Sequence, residues 1–408
     1  MGIPLLLRNL QETDGRIPLL DKFRDKTKNK YKTAVRIATK GRFNSIGIDE
    51  SVFLHGHTNS HESIKANAIH VASAIEYYII SICNFFEYYY LVEHNNDDDE
   101  KKEEEGGGGG GYGKKQLQQR DIKIFLSVDG PPPVKKNRRE RKNKDGEEDC
   151  FDAYSKMSLG EKKELQASVS RILQSKLLRK KEYNFKIESN HSQEEKDEDV
   201  NDYFQREEGE IELIKFANRQ ESQTTNVILS SDSDVTAMVI LNKLENIVIV
   251  APKCSNNCPF ISDLQSISDG LDLNYNHLVN YVILHFVFFG SDYNYGLMNC
   301  PTDSKKKLIY EGSITDSVLD RNHINNIGKR CNRTRIINTT DDICLYDDYT
   351  LECFKNLLIV EALCSMLYYA SLGKSKYLLL DNLSPLIYLK CKEDYKLNIS
   401  ILVSLINF

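Results

Sequence analysis

Seven acidic side chains, grouped in five short motifs, are the residues of this chain best suited to chemistry. They are Asp49, Asp129, Glu208, Glu210, Asp232, Asp234 and Asp292. If such a set met at one place, the carboxylates would repel one another strongly unless cations lay among them. Hard divalent metals prefer oxygen ligands, and two of them held together can hydrolyse phosphodiesters. The acidic set therefore predicts a two-metal hydrolytic site.

The segments around these acids predict the elements that would bring them together. Three motifs directly follow apolar, strand-like runs, namely Ile46–Ile48, Ile122–Val128 and Asn226–Leu229. Glu208 and Glu210 open a stretch with helical periodicity, and Asp292 follows the apolar run Val282–Phe289. Strands that alternate with helices predict an α/β fold with a mostly parallel, twisted central sheet flanked by helices. Carboxylates at the ends of such strands face the crevice in which these sheets bind ligands.

The 408 residues are expected to form two parts. Residues 1–300 are predicted to be the catalytic domain, and residues 301–408 a mainly helical C-terminal extension. An insert at about 95–115 is rich in acids and glycine, so it is expected to be a disordered surface loop. A second acidic segment, at about 190–205, is predicted to be a linker.

A long apolar helix is predicted from about Glu62 to Val92. Its most membrane-like part, His70–Val92, contains Glu76 and Glu87 and has helical periodicity. These features favour a helix packed in the protein over a membrane span, and no membrane partner is expected.

The charge and the cysteines of the chain indicate which ligands and which cellular compartment to expect. The net charge is −6, but seven basic residues fall in Lys135–Lys144, and such a run can bind phosphates even in an acidic protein. Ten scattered cysteines suit free thiols in a reducing, intracellular compartment, which is either cytoplasmic or nuclear. A zinc site is the lesser alternative for four of them, Cys254, Cys258, Cys300 and Cys331.

Each acidic motif also has an ordinary structural interpretation. Asp232 and Asp234 follow a strand and precede a helix, where aspartate is a favoured N-cap. Asp292 lies in a Gly-Ser-Asp-Tyr sequence that suits a turn. Glu208 and Glu210 border the acidic linker, and Glu212 competes with them as a ligand. The order of all five motifs along the chain is the feature that these local interpretations leave unexplained.

That order resembles the 5′ nuclease superfamily, which includes flap endonucleases, a related excision-repair nuclease and the XRN-type 5′→3′ exoribonucleases. The resemblance covers about residues 1–300 in separate blocks and starts with Met-Gly-Ile-Pro. The acidic blocks are "SIGIDESVFLH", "FLSVDGPPPVKKNRRERK", "EGEIELIKFANRQ", "VILSSDSDVTAMVIL" and "HFVFFGSDYNYGL". The resemblance implies a PIN-like nuclease fold and two Mg²⁺ ions, with Mn²⁺ as a substitute, held by the seven acids.

Several positions resemble the XRN-type branch. His55 stands where that branch has a histidine that stacks on the 5′ nucleotide, and Lys136 and Lys144 match its basic pocket for a 5′-monophosphate. Arg141 is assigned to the same phosphate contacts, although Glu140 departs from the family's pattern there. The resemblance thus implies a 5′→3′ exoribonuclease that acts on a 5′-monophosphorylated single strand, with RNA preferred over DNA. The basic, helix-prone segment Ser158–Tyr183 would form an arch that excludes duplexes.

Other features keep three alternatives open. The length of the chain and the wording of the Gly290–Tyr293 motif resemble flap endonucleases, which cut structured DNA. A catalytically inactive relative that only binds nucleic acid is a second alternative, although such proteins usually lose carboxylates. An unrelated α/β phosphatase with an Asp-x-Asp motif is a third, and it leaves the Glu-x-Glu helix unexplained.

Overall fold

A seven-stranded sheet organises the protein in a computed structural model. The structure describes residues 17–19, 28–102, 120–128, 153–190, 208–221, 223–252, 259–291, 293–294, 296 and 348–374. The strands are β1 (Ile17–Pro18), β2 (Arg42–Asp49), β3 (Arg120–Ser127), β4 (Tyr183–Ser189), β5 (Thr224–Leu229), β6 (Ile247–Ala251) and β7 (Phe260–Asp263). Their order in the sheet is β1-β7-β6-β5-β2-β3-β4.

Ten helices accompany these strands in the described ranges. They are α1 (Lys28–Thr39), α2 (Glu50–His57), α3 (Ile64–Lys102), α4 (Ala153–Lys156), α5 (Leu159–Leu177), α6 (Gly209–Asn218), α7 (Ser233–Leu241), α8 (Leu264–Leu271), α9 (Tyr275–Phe289) and α10 (Asp348–Ala370). The predicted fold class, a mostly parallel sheet flanked by helices, is confirmed.

The strand pairs at one side of the sheet are antiparallel, unlike the rest. Strands β2 to β6 run parallel, whereas β7 and β1 pair antiparallel to their neighbours. The chain passes from β2 outward to β3 and β4, and then returns to place β5 on the other side of β2. The strand order therefore reverses between β2 and β5, and ligands of open α/β sheets bind at the carboxyl ends of the strands at such a point.

Two apolar layers cover the faces of the sheet. Alternate residues of β5 contribute to the two layers. Val227 and Leu229 belong to the core beneath α1, α3 and α5, whereas Ile228 belongs to the core beneath α6, α7 and α9. Every residue of β5 and β6 is buried, as expected for parallel strands covered on both faces.

Helix α3 forms much of the first layer. Its stretch Ile64–Leu91 is the one part of the described chain long and apolar enough to cross a membrane, and half of its most apolar 18-residue window is buried inside the protein. Glu76 forms an ion pair with Lys176 of α5, at 2.9 Å, on the partly exposed side of the contact between the two helices. Phe86 stacks on Phe43 of β2 at a ring separation of 4.4 Å, so this helix packs directly on the sheet.

Some elements differ from those that the sequence predicts. Helix α3 continues to Lys102. The first charge-rich residues of the predicted insert are therefore helical and do not form a loop from residue 95. The apolar run before Asp292, to which no element is assigned from the sequence, is the end of helix α9. Strand β4 follows the predicted basic helix, which ends at Leu177, and the short strands β1 and β7 were not expected.

Candidate functional site

Asp49 and Ser230 meet at the point where the strand order reverses. Asp49 is the last residue of β2, and Ser230 directly follows β5, its parallel neighbour. The Ser230 hydroxyl donates a 2.8 Å hydrogen bond to Oδ2 of Asp49, and both residues are buried. The same hydroxyl accepts a hydrogen bond from the backbone N–H of Asp232 at 3.1 Å. One serine therefore links the acidic motif of β2 to that of β5.

Helix α6 brings Glu208 and Glu210 to the same edge. Its first residue, Gly209, accepts a 3.0 Å hydrogen bond from the hydroxyl of Ser127, which pairs in register with Asp49 on the neighbouring strand. The helix can approach the sheet closely because a Cβ on Gly47 of β2 would lie only 3.0 Å from Leu213 of α6. Glu208 occupies the N-cap position of α6, but its side chain makes no capping hydrogen bond.

The two glutamates differ from their neighbour Glu212 in burial. Glu208 and Glu210 are 4% and 9% exposed, although ionised glutamates are seldom buried. Glu212 lies at the surface of the same helix and pairs with Lys215 at 3.6 Å. The burial of Glu208 and Glu210 favours them over Glu212 as ligands, and this choice stays a prediction.

Asp232 and Asp234 begin helix α7. Oδ1 of Asp232 accepts a 3.1 Å hydrogen bond from the backbone N–H of Asp234, so Asp232 does serve as an N-cap. Asp234 is buried, and its Oδ2 accepts a hydrogen bond from the hydroxyl of Tyr369 in α10 at 2.5 Å. Capping thus accounts for Asp232 but leaves the burial of Asp234 to be explained by another role.

Two buried tyrosines, Tyr293 and Tyr369, lie near Glu208 and Asp234. Burial raises the pKa of Tyr293 far above its usual value, and the charge of Glu208 adds to this effect. Burial likewise raises the pKa of Tyr369, followed by the charges of Asp234, Tyr293 and Glu208. Both phenols remain protonated, and the hydroxyl of Tyr369 donates its hydrogen bond to the carboxylate of Asp234.

Glu50 is an acid at this edge that sequence reasoning missed. It is fully buried directly after Asp49, and burial, followed by the charge of Asp49, raises the pKa of Glu50 to about 8. The sequence signal was its position beside Asp49, but α2 begins there, and an acid in the first turn of a helix is common.

The remaining predicted residues are placed as follows. His55 is exposed at the end of α2, and its ring lies edge-on to Tyr154 with centroids 5.0 Å apart. Five others, Asp129, Lys136, Arg141, Lys144 and Asp292, lie outside the described residues. The four cysteines weighed as zinc ligands, Cys254, Cys258, Cys300 and Cys331, also lie outside them.

The fit of these residues to a divalent metal depends on their chemistry. Within the described ranges, no three or more Asp, Glu, His or Cys side chains are grouped closely enough to hold a metal ion. The donors are nevertheless hard carboxylate oxygens, and Mg²⁺ is often held by only one or two carboxylates together with waters and substrate phosphates. Asp49, Glu208, Glu210 and Asp234 therefore suit such an ion, provided that the substrate supplies further oxygens.

No protein-family model and no curated protein matches the sequence. Among solved structures, the chain is similar to the catalytic core of Rad2 in complex with DNA substrate, with a TM-score of 0.39, 14% identity and coverage of 90% of this chain and 94% of that one. It is also similar to flap endonuclease-1 from Methanococcus jannaschii, with a TM-score of 0.32, 14% identity and coverage of 86% and 95%. TM-scores of this size describe a loose likeness, so the arguments for function come from the residues of the chain.

Proposed function

We propose that this protein is a metal-dependent 5′ nuclease that hydrolyses phosphodiester bonds of nucleic acids. One observation carries the proposal. Four acids from three separate segments, Asp49, Glu208, Glu210 and Asp234, are buried at the carboxyl edge of the sheet around the point where the strand order reverses. Burial of so many carboxylates is costly without a cationic ligand, and this edge is where α/β sheets bind their ligands.

The carboxylates and hydroxyls of this edge have different proposed roles. Asp49, Glu208, Glu210 and Asp234 would hold the metals, together with Asp129, Asp232 and Asp292, the other acids of the motifs. A bound divalent cation supplies an activated water and neutralises the charge that develops on the scissile phosphate. Ser230 holds the carboxylate of Asp49 in place through a hydrogen bond from its hydroxyl. Preorganised side chains of this kind avoid reorganisation during the reaction.

Two substrates are proposed within this activity. A 5′-monophosphorylated RNA strand is supported by His55, an exposed ring of the kind that stacks on a terminal base, and by the predicted phosphate contacts Lys136, Arg141 and Lys144. A DNA flap is supported by the Gly290–Tyr293 motif, which resembles that of flap endonucleases and whose Ser291 hydroxyl donates a 2.7 Å hydrogen bond to Oδ1 of Asn294. Both readings use the same acidic edge, so they differ in the substrate and not in the reaction.

The test of the activity is the double variant Asp232→Ala/Asp234→Ala. We expect cleavage to fall by more than about 10³-fold, because metal ligands supply several kcal/mol of transition-state stabilisation. The control is Asp121→Ala, which removes an exposed aspartate at the opposite edge of the sheet and should cleave normally. Cleavage retained by the double variant would contradict the proposal.

The substrate is decided with the wild-type protein, Mg²⁺ or Mn²⁺, and four labelled substrates: 5′-phosphate RNA, 5′-hydroxyl RNA, single-stranded DNA and a DNA flap. Preference for 5′-phosphate RNA supports the exoribonuclease reading, and His55→Ala should then reduce cleavage of that substrate. Preference for the flap supports the endonuclease reading. Binding of any of them without cleavage, by a folded protein, would replace the proposal with a nucleic-acid-binding relative.

A further inference from the structure

Helix α10 contributes to the acidic edge although no motif marks it. The hydroxyl of Tyr369 donates to Oδ2 of Asp234, a residue 135 positions earlier in the chain. Both side chains are buried, with exposed fractions of 1% and 5%. A hydrogen bond from a neutral donor to a buried carboxylate is stronger than one between neutral groups, so it can fix the orientation of that carboxylate.

Tyr369 is itself held from several sides. Its ring lies 5.5 Å from that of Phe286 in α9 and 5.8 Å from that of Tyr293. Its carbonyl oxygen accepts a 3.5 Å hydrogen bond from the side chain of Asn242, at the far end of α7. The tyrosine therefore lies along α7, with its backbone near the end of that helix and its hydroxyl at the beginning.

The C-terminal end of α10 fixes the backbone position of Tyr369. The N–H of Gly373 donates to the carbonyl of Tyr368 at 3.0 Å, and Gly373 has a φ of 84°, a left-handed conformation that favours glycine. This helix ending stops α10 at Ala370, one residue after the pair Tyr368 and Tyr369. A rigid helix end and a packed ring leave the hydroxyl little freedom to move away from Asp234.

We propose that Tyr369 is a positioning residue, which orients the carboxylate of Asp234 for metal binding through its hydroxyl. The inference rests on the proposed function, since it assumes that Asp234 is a metal ligand. It assigns to the C-terminal region, through one helix, a direct part in the active site. Partners that hydrogen-bond to metal ligands commonly change metal affinity or activity by about 10- to 100-fold when removed.

The test compares two tyrosine hydroxyls that both bond to α7. Tyr369→Phe removes the bond to Asp234 and keeps the ring. The matched control, Tyr275→Phe, removes a 2.9 Å hydrogen bond to the carbonyl of Ile240, near the other end of α7. Affinity for Mn²⁺ is measured by calorimetry on the full-length proteins, beside cleavage rates. We expect Tyr369→Phe to bind Mn²⁺ about 10- to 100-fold more weakly than wild type, and Tyr275→Phe to bind it normally.

The outcomes separate the inference from the proposed function. If wild type binds Mn²⁺ and cleaves, and Tyr369→Phe binds Mn²⁺ equally well, the inference is overturned while the proposed function stands. If wild type neither binds Mn²⁺ nor cleaves any nucleic acid, both fail.

A folding defect would not obscure the result. If Tyr369→Phe loses its cooperative thermal transition, Asp234→Asn is added to it, which removes the buried charge that has lost its donor. Recovery of the transition in the double variant would support the hydroxyl–carboxylate pairing. Failure to recover it would overturn the inference, because the loss would then come from packing.

Discussion

Asp234 and Asp263 are both buried aspartates at the junction of a strand and a helix, yet they lie at opposite edges of the sheet. Asp234 follows β5, which is parallel to β2, and so it lies at the carboxyl edge with Asp49. Asp263 ends β7, which runs antiparallel to β6, and it pairs with Val248 near the start of that strand. The direction of one strand therefore separates two residues that look alike in sequence.

Their partners differ as well. Asp263 accepts hydrogen bonds from both terminal nitrogens of Arg36, at 2.6 and 2.8 Å, and pairs with Lys40 at 3.3 Å. It also caps α8 by accepting a 2.9 Å bond from the N–H of Ser266. Burial acts to raise the pKa of Asp263, but the bonds and charge of Arg36 outweigh it and hold that pKa below its usual value.

The comparison separates a structural aspartate from a candidate ligand. Asp263 has two cations and a helix terminus as partners, so its charge is neutralised within the protein. Asp234 accepts from a tyrosine hydroxyl and lies near Glu208 through Tyr293 and Tyr369. A strand-end aspartate is therefore informative about function only with its partners, and acidic neighbours favour a metal role over a structural one.

The largest effect on stability is expected at the structural aspartate. Asp263→Ala removes charge-assisted hydrogen bonds from Arg36 and Lys40, which are partly exposed, and the cap of α8, so we expect a loss of about 4 kcal/mol in the free energy of unfolding. Cleavage per folded molecule should stay unchanged. The measurement is urea unfolding beside a nuclease assay, with the exposed Asp269→Ala as control. Lost cleavage in a folded Asp263→Ala protein would break the distinction between the two edges.

A second effect concerns pH and the core beneath α9. Burial lowers the pKa of His285 to about 4, although its bond to the carbonyl of Tyr281 acts in the opposite direction. The unfolded chain therefore binds a proton near pH 6.5 that the folded protein excludes, and stability is lost as pH falls from about 6.5 to 4. The loss from this residue is about 3 kcal/mol.

The pH effect is isolated by comparing wild type with His285→Leu in urea unfolding at each pH. Glu50 acts with the opposite sign, because its pKa is raised to about 8 and its burial costs stability as pH rises from its usual value of 4.5. Subtracting the free energies of unfolding of the two proteins removes the contribution of Glu50, since both contain this residue. A difference that does not change between pH 7 and 4 would show that His285 does not titrate as expected.

The smallest effect is expected at the serine that links two acidic motifs. Ser230→Ala removes the donor to Asp49 and the acceptor of the Asp232 N–H, and we expect a loss of about 1 kcal/mol in stability. A similar loss in the transition state would slow cleavage by about fivefold. Ser231→Ala is the matched control, and equal behaviour of the two variants would remove Ser230 from the site.

Much of the fold near the acidic motifs was predictable, because it depends on local patterns. The strands before Asp49 and Asp232, and the helices that begin at Gly209 and Ser233, are apolar segments of typical length that follow one another closely. Strand β4 also had a local signal, the alternation of apolar residues at positions 183, 185 and 187, which the basic helix before it obscured. The two-residue strand β1 had none, because its pairing with β7 spans most of the chain.

The sequence by itself determined that this chain has an α/β fold and that the acidic motifs at Asp49, Glu208 and Asp232 follow strands or begin helices. Residue type and spacing suffice for this, since secondary structure depends on near neighbours. Only the tertiary structure decided that Asp234 faces Tyr369 while Asp263 faces Arg36. Strand direction and the return of a distant helix set those partners, and in a buried setting the partner of a carboxylate decides its charge and its role.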